Sequence, residues 1–300
     1  CLSVLNRKNI EYEFYGDNKL DINGFSSLFR YKPGSITWLR SIDKLDGLSY
    51  IGDFQLVITS REVENIKRFK SQIKVENPRN AFFLILEELW GEKNKNENSI
   101  SEKAFISKNS TIGSNTSIGI NTIISDNVVI GRNCVIGHNV VIKQNVRIGD
   151  NCIIQSGAII GEDGFGFFKD DENNLQQIPH YGGVSIGNNV FIGSNTCIHR
   201  GTLDDTTIHD YVKISNLCQI SHNSIIKNNT RIVTGSMILG SVTIGENCWI
   251  GTSVIRDQRK VGDNTIVGIG AVVTKDIPSN VTVVGNPARI IPTKKKIMNY

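Results

Sequence analysis

Histidine is the residue type in this chain best suited to acid–base chemistry, and one histidine is set apart by its surroundings. His222 lies in the stretch QISHNSII, residues 219–226, and is one of five histidines among 300 residues. An imidazole ordinarily has a pKa near 6.5, so it can take up and release a proton at neutral pH. By residue type alone, His222 is either a general base or a solvated surface histidine.

The six cysteines favour neither a metal site nor a disulfide framework. They are scattered, with no CxxC pair and no zinc-ligand spacing, at positions 1, 134, 152, 197, 218 and 248. Such scatter in a chain of this length indicates a reducing, cytoplasmic setting. We therefore predict no metal site and no bound cofactor.

Charge and hydropathy give no indication of nucleic-acid binding or of a membrane span. The net charge of +4 is mild, and its clearest cluster is Lys294–Lys296, which is too little to predict nucleic-acid binding. No run of about 18 apolar residues appears, so we predict no membrane span, and no signal-peptide pattern opens the chain. An acidic protein partner and a phosphate-bearing ligand remain open.

The strongest pattern is a six-residue repeat. Isoleucine recurs at every sixth residue over 100–160, again over 186–198 and, after a four-residue slip, over 208–250. This period fits neither a helix nor an alternating strand. It is typical of a solenoid in which one β-branched residue per hexapeptide points inward and Gly, Asn or Asp occupy the corners. Three hexapeptides close one coil, so the pattern predicts a left-handed parallel β-helix.

The repeat places His222 in a specific position. It lies two residues after the inward-pointing Ile220, which puts it at or near a corner of its coil. Eighteen residues later the stacked position is Gly240, which leaves room above the imidazole for a thin ligand such as a pantetheine arm. Arg256 and Arg259 are further candidates for donor binding, because they could meet the phosphates of CoA or an acidic carrier protein.

Two interruptions of the repeat predict loops, which either carry function or are tolerated insertions. Residues 161–183 break the period, and residues 199–207 shift its register. Phe165 and Phe167 in the first interruption favour packing against a ligand or a neighbouring subunit. His180 lies where this loop rejoins the coils and is a candidate to meet substrate or an ordinary loop residue. His138, His199 and His209 fall at coil turns, where we expect solvated side chains.

The first third of the chain lacks the repeat. Residues 20–22 with a turn at 24–25, residues 36–39 and residues 56–59 are predicted strands, and Pro78 opens a predicted helix. The chain therefore divides into a small α/β domain over 1–97, a β-helix over 98–284 and a short basic tail over 285–300, with the polar linker EKNKNEN (residues 92–98) at the first boundary. The predicted fold class is mainly β.

These segments resemble the UDP-3-O-(3-hydroxyacyl)glucosamine N-acyltransferase family of lipid A and lipopolysaccharide biosynthesis. The resemblance rests on YGDNKLDINGFSSLFRYKPGSITWL and NPRNAFFLILEEL in the first domain, and on GEDGFGF, IPHYGGVSIGNNVFIGSNTCIHRGTLDDTTI and VKISNLCQISHN in the coils. It implies a homotrimer with active sites between neighbouring β-helices. It also implies acylation of the amine of a UDP-linked amino sugar, with the acyl group carried on the phosphopantetheine of acyl carrier protein.

The resemblance assigns roles to individual residues. The SHN match makes His222 the general base, and Asn216 matches a position near the active site, although a corner asparagine is an equal alternative. Trp38 stands for one ring of the aromatic pair that holds uracil, whereas Lys44 stands where a tyrosine is expected. Ser215 occupies the place of an aspartate, so no acid is identified that orients His222.

The C-terminal part departs from this family. The ending NPARIIP is similar to that of acetyl-CoA-dependent sugar acetyltransferases, a long C-terminal helix is missing, and Gln258 stands where a second histidine is expected. The alternative function is therefore an N-acyltransferase that uses acetyl- or short-acyl-CoA and another nucleotide-linked amino sugar for surface glycan synthesis.

Overall fold

The structure is a computed structural model that describes residues 1–50, 52–91 and 99–292. The chain divides into two compact units, Cys1–Lys95 and Asn96–Tyr300. The predicted linker EKNKNEN and the lysine cluster 294–296 lie outside the described residues. None of the helices in the described part has the length and apolarity that a membrane crossing requires.

The first unit is an α/β fold. Its α-helices are α1 (Leu2–Arg7) and α2 (Pro78–Trp90), its 3₁₀ helices are Leu28–Arg30 and Ile42–Leu45, and its strands are β1 (Glu13–Gly16), β2 (Gly24–Phe25), β3 (Ser35–Leu39), β4 (Phe54–Ser60) and β5 (Phe69–Val75). The strands form one sheet in the order β1-β5-β4-β3-β2, in which only β1 runs antiparallel to its neighbour. Helix α2 begins as predicted, with Pro78 in its first turn and the Asn77 side chain accepting from the Asn80 N–H. The strand predicted at 20–22 is wrong, because only Gly24–Phe25 pair there.

The second unit is a parallel β-helix, as the six-residue repeat predicts. Its strands, in chain order, are β6 (Phe105–Ile106), β7 (Thr111–Ile112), β8 (Ser117–Ile118), β9 (Ile123–Ile124), β10 (Val129–Ile130), β11 (Val135–Ile136), β12 (Val141–Ile142), β13 (Val146–Ile148), β14 (Ile153–Ile154), β15 (Ile159–Glu162), β16 (Phe167–Lys169), β17 (Leu175–Gln177), β18 (Val184–Ile186), β19 (Phe191–Ile192), β20 (Cys197–His199), β21 (Thr206–Ile208), β22 (Lys213–Ile214), β23 (Gln219–Ile220), β24 (Ile225–Ile226), β25 (Arg231–Ile232), β26 (Met237–Ile238), β27 (Thr243–Ile244), β28 (Trp249–Ile250), β29 (Val254–Ile255), β30 (Lys260–Val261), β31 (Ile266–Val267), β32 (Val272–Val273), β33 (Thr282–Val284) and β34 (Arg289–Ile291).

Three faces enclose the core of the β-helix. They hold eight, ten and nine strands, and successive strands of the chain pass from one face to the next. The second residue of nearly every short strand points inward, so the repeated isoleucines pack in columns such as Ile208, Ile226 and Ile244. A β-branched side chain is stiff at χ1 and packs well in such a column.

The corners explain why asparagine is so frequent. Asn115, Asn121, Asn127 and Asn133 have φ between 56° and 60°, and the series continues along the coils. Asparagine tolerates this left-handed region better than most residues, because its short polar side chain bonds locally. The sequence pattern at the corners is therefore set by backbone conformation.

Both interruptions form loops, as predicted. Residues 163–183 leave the coils after β15, form the antiparallel hairpin β16–β17 and rejoin at β18. The second, shorter loop lies between β20 and β21. At the C-terminal end, β34 pairs antiparallel with β33, so the boundary predicted at 284 falls within a hairpin.

Candidate functional site

His222 lies at the corner between β23 and β24, half-buried, in the turn that follows the inward Ile220. The next residue, Asn223, has a φ of 59° and turns the chain toward β24. The spacing argument therefore placed His222 correctly.

The side chain of Asn223 fixes the tautomer of His222. The Asn223 Oδ1 atom accepts hydrogen bonds from Thr202 N–H at 3.1 Å and from Thr202 Oγ1 at 2.8 Å, and the Asn223 Nδ2 donates to Asp204 O at 3.3 Å. The backbone N–H of Thr202 can only donate, so the atom it meets is an oxygen. His222 Nδ1 lies 3.0 Å from that same oxygen and must therefore carry its hydrogen. In the neutral ring, Nε2 keeps a free lone pair, which is the arrangement that a general base requires.

A groove opens over the Nε2 side of His222. It has a volume of about 470 Å³ and is lined by Phe165, Gln219, Ser221, His222, Leu239, Gly240, Ser241, Asp257 and Gln258. A Cβ on Gly240 would lie 2.8 Å from both Cε1 and Nε2 of His222. Because glycine has no Cβ, the space beside Nε2 stays open, as the eighteen-residue spacing predicts.

The first loop closes over the other side of the imidazole. Gly164 is buried, and a Cβ there would lie 2.6 Å from His222 Cδ2 and 2.9 Å from His180 Nε2. Phe165 follows it with 85% of its surface exposed, lines the groove and packs edge-to-face against Phe167 at 4.9 Å between ring centroids. The loop therefore places an apolar side chain at the groove and its backbone against the catalytic candidate.

His180 is brought directly to His222. Its side chain is 7% exposed, and the two rings meet edge-to-face with centroids 5.5 Å apart. The returning end of the loop is held by Arg200, whose Nε donates to Gly182 O at 2.7 Å, and by Asp205, whose Oδ1 accepts from Gly183 N–H at 2.7 Å. These contacts fix the backbone two and three residues after His180.

His199 corrects an expectation. The sequence places it at a solvated turn, but in the structure it is half-buried near His222 and His180, and its Nδ1 is buried without a partner in the described part of the chain. Burial lowers the pKa of His199, the charges on His222 and His180 lower it further, and Glu162 and Asp163 oppose the change. The protonated form of His199 is therefore disfavoured beside the site.

The other predicted site residues lie elsewhere. Asn216 is exposed at the preceding corner, where its Oδ1 accepts from Ser194 N–H at 2.9 Å, and it does not line the groove. Arg256 and Arg259 share a turn with Asp257 and Gln258 at one end of the groove, where Arg256 pairs with Asp257 and Arg259 with Asp276.

In the first unit, Trp38 is half-buried on β3 and packs against the core between the sheet and the helices, while Lys44 is exposed. The substrate-binding roles of Asn216 and Trp38, and the donor-binding roles of the two arginines, stay predictions. Within residues 1–50, 52–91 and 99–292, no group of three His, Cys, Asp or Glu side chains is placed to hold a metal ion.

Sequence reasoning missed Asn223 and His199. The signal for Asn223 was its position next to His222 at a corner. The signal for His199 was the four-residue slip, because β20 pairs with β23 at an offset of 22, as in Cys197 with Gln219, and this register brings 199 beside 221.

The coils match known repeat families. The pattern described as bacterial transferase hexapeptide (six repeats) matches residues 109–144 and 127–162, and the hexapeptide repeat of succinyl-transferase matches residues 183–203. These matches agree with the observed coils.

Curated relatives carry the name that the sequence resemblance suggested. The UDP-3-O-acylglucosamine N-acyltransferase of Bordetella pertussis is 43% identical over 129 residues, which is 42% of this chain and 36% of that protein. A probable UDP-3-O-acylglucosamine N-acyltransferase 2, mitochondrial, of Arabidopsis thaliana is 40% identical over 126 residues, 42% of this chain and 41% of that protein. The shared segment thus spans about two fifths or less of each relative, and these names support the family resemblance.

Solved structures share the β-helix. LpxA from Acinetobacter baumannii superimposes with a TM-score of 0.58 and 27% identity over 64% of this chain and 73% of that one. The UDP-N-acetylglucosamine O-acyltransferase of Moraxella catarrhalis gives 0.58 and 26% identity over 65% and 75%.

Proposed function

We propose that this chain is an acyltransferase that moves an acyl group from a thioester to the amine of a UDP-linked amino sugar. This is the type of reaction in the names of its relatives, and the sequence resemblance assigns it to lipid A biosynthesis. The observation that carries the proposal is the orientation of His222, whose Nδ1–H is held by Asn223 and whose Nε2 lone pair lies beside Gly240 at an open groove.

The proposed reaction needs one base. The sugar amine attacks the thioester carbonyl, and Nε2 of His222 takes one amine proton as the C–N bond forms. The tetrahedral intermediate then collapses, the C–S bond breaks, and the imidazolium returns the proton to the departing thiolate. The products are an amide and a free thiol, and no acyl-enzyme is formed.

The negative charge on the former carbonyl oxygen requires a hydrogen-bond donor. Among the described residues, no hydrogen bond engages the backbone N–H of Gly240, which lies beside His222 in the groove. We assign this N–H as the oxyanion donor. A backbone group held in a rigid coil is a suitable donor because it needs no reorganisation.

The groove also suits a narrow donor. It follows the corner from His222 past Gly240 to Asp257 and Gln258, close to Arg256 and Arg259. We propose that the acyl group arrives on the phosphopantetheine of acyl carrier protein or on CoA, and that the arginines meet its phosphates or the acidic carrier. A homotrimer is part of the proposal, with Phe165 facing a ligand or a neighbouring subunit.

A donor test decides between the two functions that the sequence suggests. Purified protein is incubated with a panel of nucleotide-linked amino sugars and either 3-hydroxyacyl carrier protein or acetyl-CoA, and products are followed by mass. Turnover with carrier protein and a UDP-glucosamine derivative supports the proposal. Turnover only with a CoA thioester and another sugar would assign the chain to surface glycan synthesis, and no amide product with any pair would contradict both.

His222 is tested by replacement. His222→Ala is expected to lower the rate by a factor of about 10² to 10⁴, because the attacking amine loses its base. The matched control is His209→Ala, which removes an exposed histidine from another corner and should leave turnover unchanged. Equal turnover in the wild type and in His222→Ala would remove His222 from the mechanism.

A further inference from the structure

One hydrogen bond of His180 fixes which nitrogen of its ring carries the hydrogen. His180 Nδ1 lies 2.8 Å from Ile178 O, and a carbonyl oxygen only accepts, so Nδ1 carries the hydrogen. The second nitrogen, Nε2, therefore has a lone pair in the neutral ring. This atom is buried and has no hydrogen-bond partner among the residues that the structure describes.

The unpartnered nitrogen lies on the His222 side of the ring. A single point, the Cβ position that Gly164 lacks, is 2.9 Å from His180 Nε2 and 2.6 Å from His222 Cδ2. The two rings meet at 76°. The shared point therefore places the lone pair of a neutral His180 ring on the side that faces the His222 imidazole.

The charge of His222 changes during the proposed reaction, whereas that of His180 need not. When His222 accepts a proton, its ring becomes a cation, and a nearby nitrogen lone pair that no other group in the described part of the chain engages favours this positive charge electrostatically. The other titratable groups near this contact are His199, Glu162, Asp163 and, at the groove, Asp257. Burial lowers the pKa of His199 and so disfavours an opposing charge on its ring.

We propose that His180 is a positioning residue that stabilises the protonated form of His222. Its place in catalysis rests on the proposed function, but the contact itself can be tested without turnover. His180 belongs to the loop over residues 163–183, outside the coil repeat. Hydrogen bonds of Arg200 and Asp205 with the backbone of this loop hold it on the β-helix.

The test is a histidine titration of the full chain by NMR. Protein labelled with ¹³C at histidine Cε1 is titrated as wild type, His180→Leu and His180→Gln, and the His222 signal is assigned by its loss in His222→Asn. We expect the His222 midpoint to fall by about 0.5 pH unit or more in His180→Leu. In His180→Gln we expect a smaller fall, because the amide oxygen restores an electron-rich atom.

Several outcomes would overturn this role. An unchanged or raised midpoint in His180→Leu means that His180 does not stabilise the cation, and an equal fall in both variants means that packing alone is involved. Thermal unfolding checks that the variants fold, and His180→Ala replaces His180→Leu if the latter does not. A lowered midpoint in a protein without acyltransfer in the donor test would leave this contact standing and reject the proposed function.

Discussion

At the scale of single residues, an amide oxygen stands beside His222 Nδ1, where many catalytic histidines have a carboxylate. Asn223 presents an oxygen to His222 Nδ1–H, and that oxygen is fixed by two hydrogen bonds from Thr202. A neutral acceptor sets the tautomer without adding a negative charge. At position 215, where the resemblance expects an aspartate, Ser215 instead bonds Thr234 at 2.8 Å.

Replacing Asn223 should therefore separate orientation from charge. In Asn223→Asp the acceptor remains but a carboxylate now favours the imidazolium, so the acid limb of kcat/KM should move to higher pH. Asn223→Gly tolerates the positive φ and removes the acceptor, and we expect a rate about 10- to 100-fold lower without that upward move. A pH–rate profile of both variants checks this, and an unmoved acid limb in Asn223→Asp would contradict the assigned hydrogen bond.

The half-buried His199 should make the stability of the folded chain depend on pH. Its pKa is lowered in the folded chain, chiefly by burial, so the unfolded chain binds more protons as the pH falls below the ordinary value near 6.5. Above a pH of about 6.5, His199 is neutral in the unfolded chain as well and does not change the free energy of unfolding. As the pH falls from there toward the pKa of His199 in the folded chain, the free energy of unfolding decreases progressively. Melting temperatures between pH 7.5 and 5 should fall more steeply for the wild type than for His199→Gln, with the exposed His209→Gln as control. Parallel curves for wild type and His199→Gln would show that His199 carries none of this dependence.

At the scale of elements, the loop over residues 163–183 is as much a part of the site as the coil corner. Gly164→Ala should lower turnover about 10- to 100-fold, because the new methyl group would press on His222 and His180 and the loop must shift. Gly166→Ala is the matched control in the same loop, since its Cβ would meet Ile178 at 3.4 Å, close to ordinary contact. The kcat and the thermal stability of both variants are measured. Equal kcat values would show that the loop moves away from His222 and His180 without loss of activity.

The elements also show where sequence reasoning succeeds. One isoleucine in six fixes the inward side of each short strand, so the coils and the corner position of His222 follow from counting. Counting fails where the period breaks. The path of residues 163–183 depends on contacts such as Arg200 with Gly182, which are distant in sequence, so the approach of His180 to His222 could not be predicted.

At the scale of the whole molecule, a single chain exposes several large apolar side chains to solvent. Leu203, Leu217 and Ile269 are 76%, 62% and 81% exposed, and Phe165 is 85% exposed. Contact with further copies of the chain would remove such side chains from water, and the resemblance implies a trimer. Light scattering at micromolar concentration should give a mass about three times the 33.2 kDa of one chain. A single-chain mass would contradict the trimer.

The stacked coils predict how the molecule loses stability. Neighbouring residues of β24 form a matched pair, because Ile226 is fully buried between Ile208 and Ile244 whereas Ile225 is 37% exposed. Ile226→Ala should lower the free energy of unfolding by about 2–5 kcal/mol, since it leaves a cavity in the column. Ile225→Ala should cost roughly 1 kcal/mol or less. In a solenoid each coil is stabilised by its two neighbours. The loss of the buried Ile226 side chain therefore also weakens the coil that carries His222. Urea unfolding of the two variants at equal concentration measures the difference, and equal losses would mean that the outer face of β24 is buried in the assembly as deeply as the inner one.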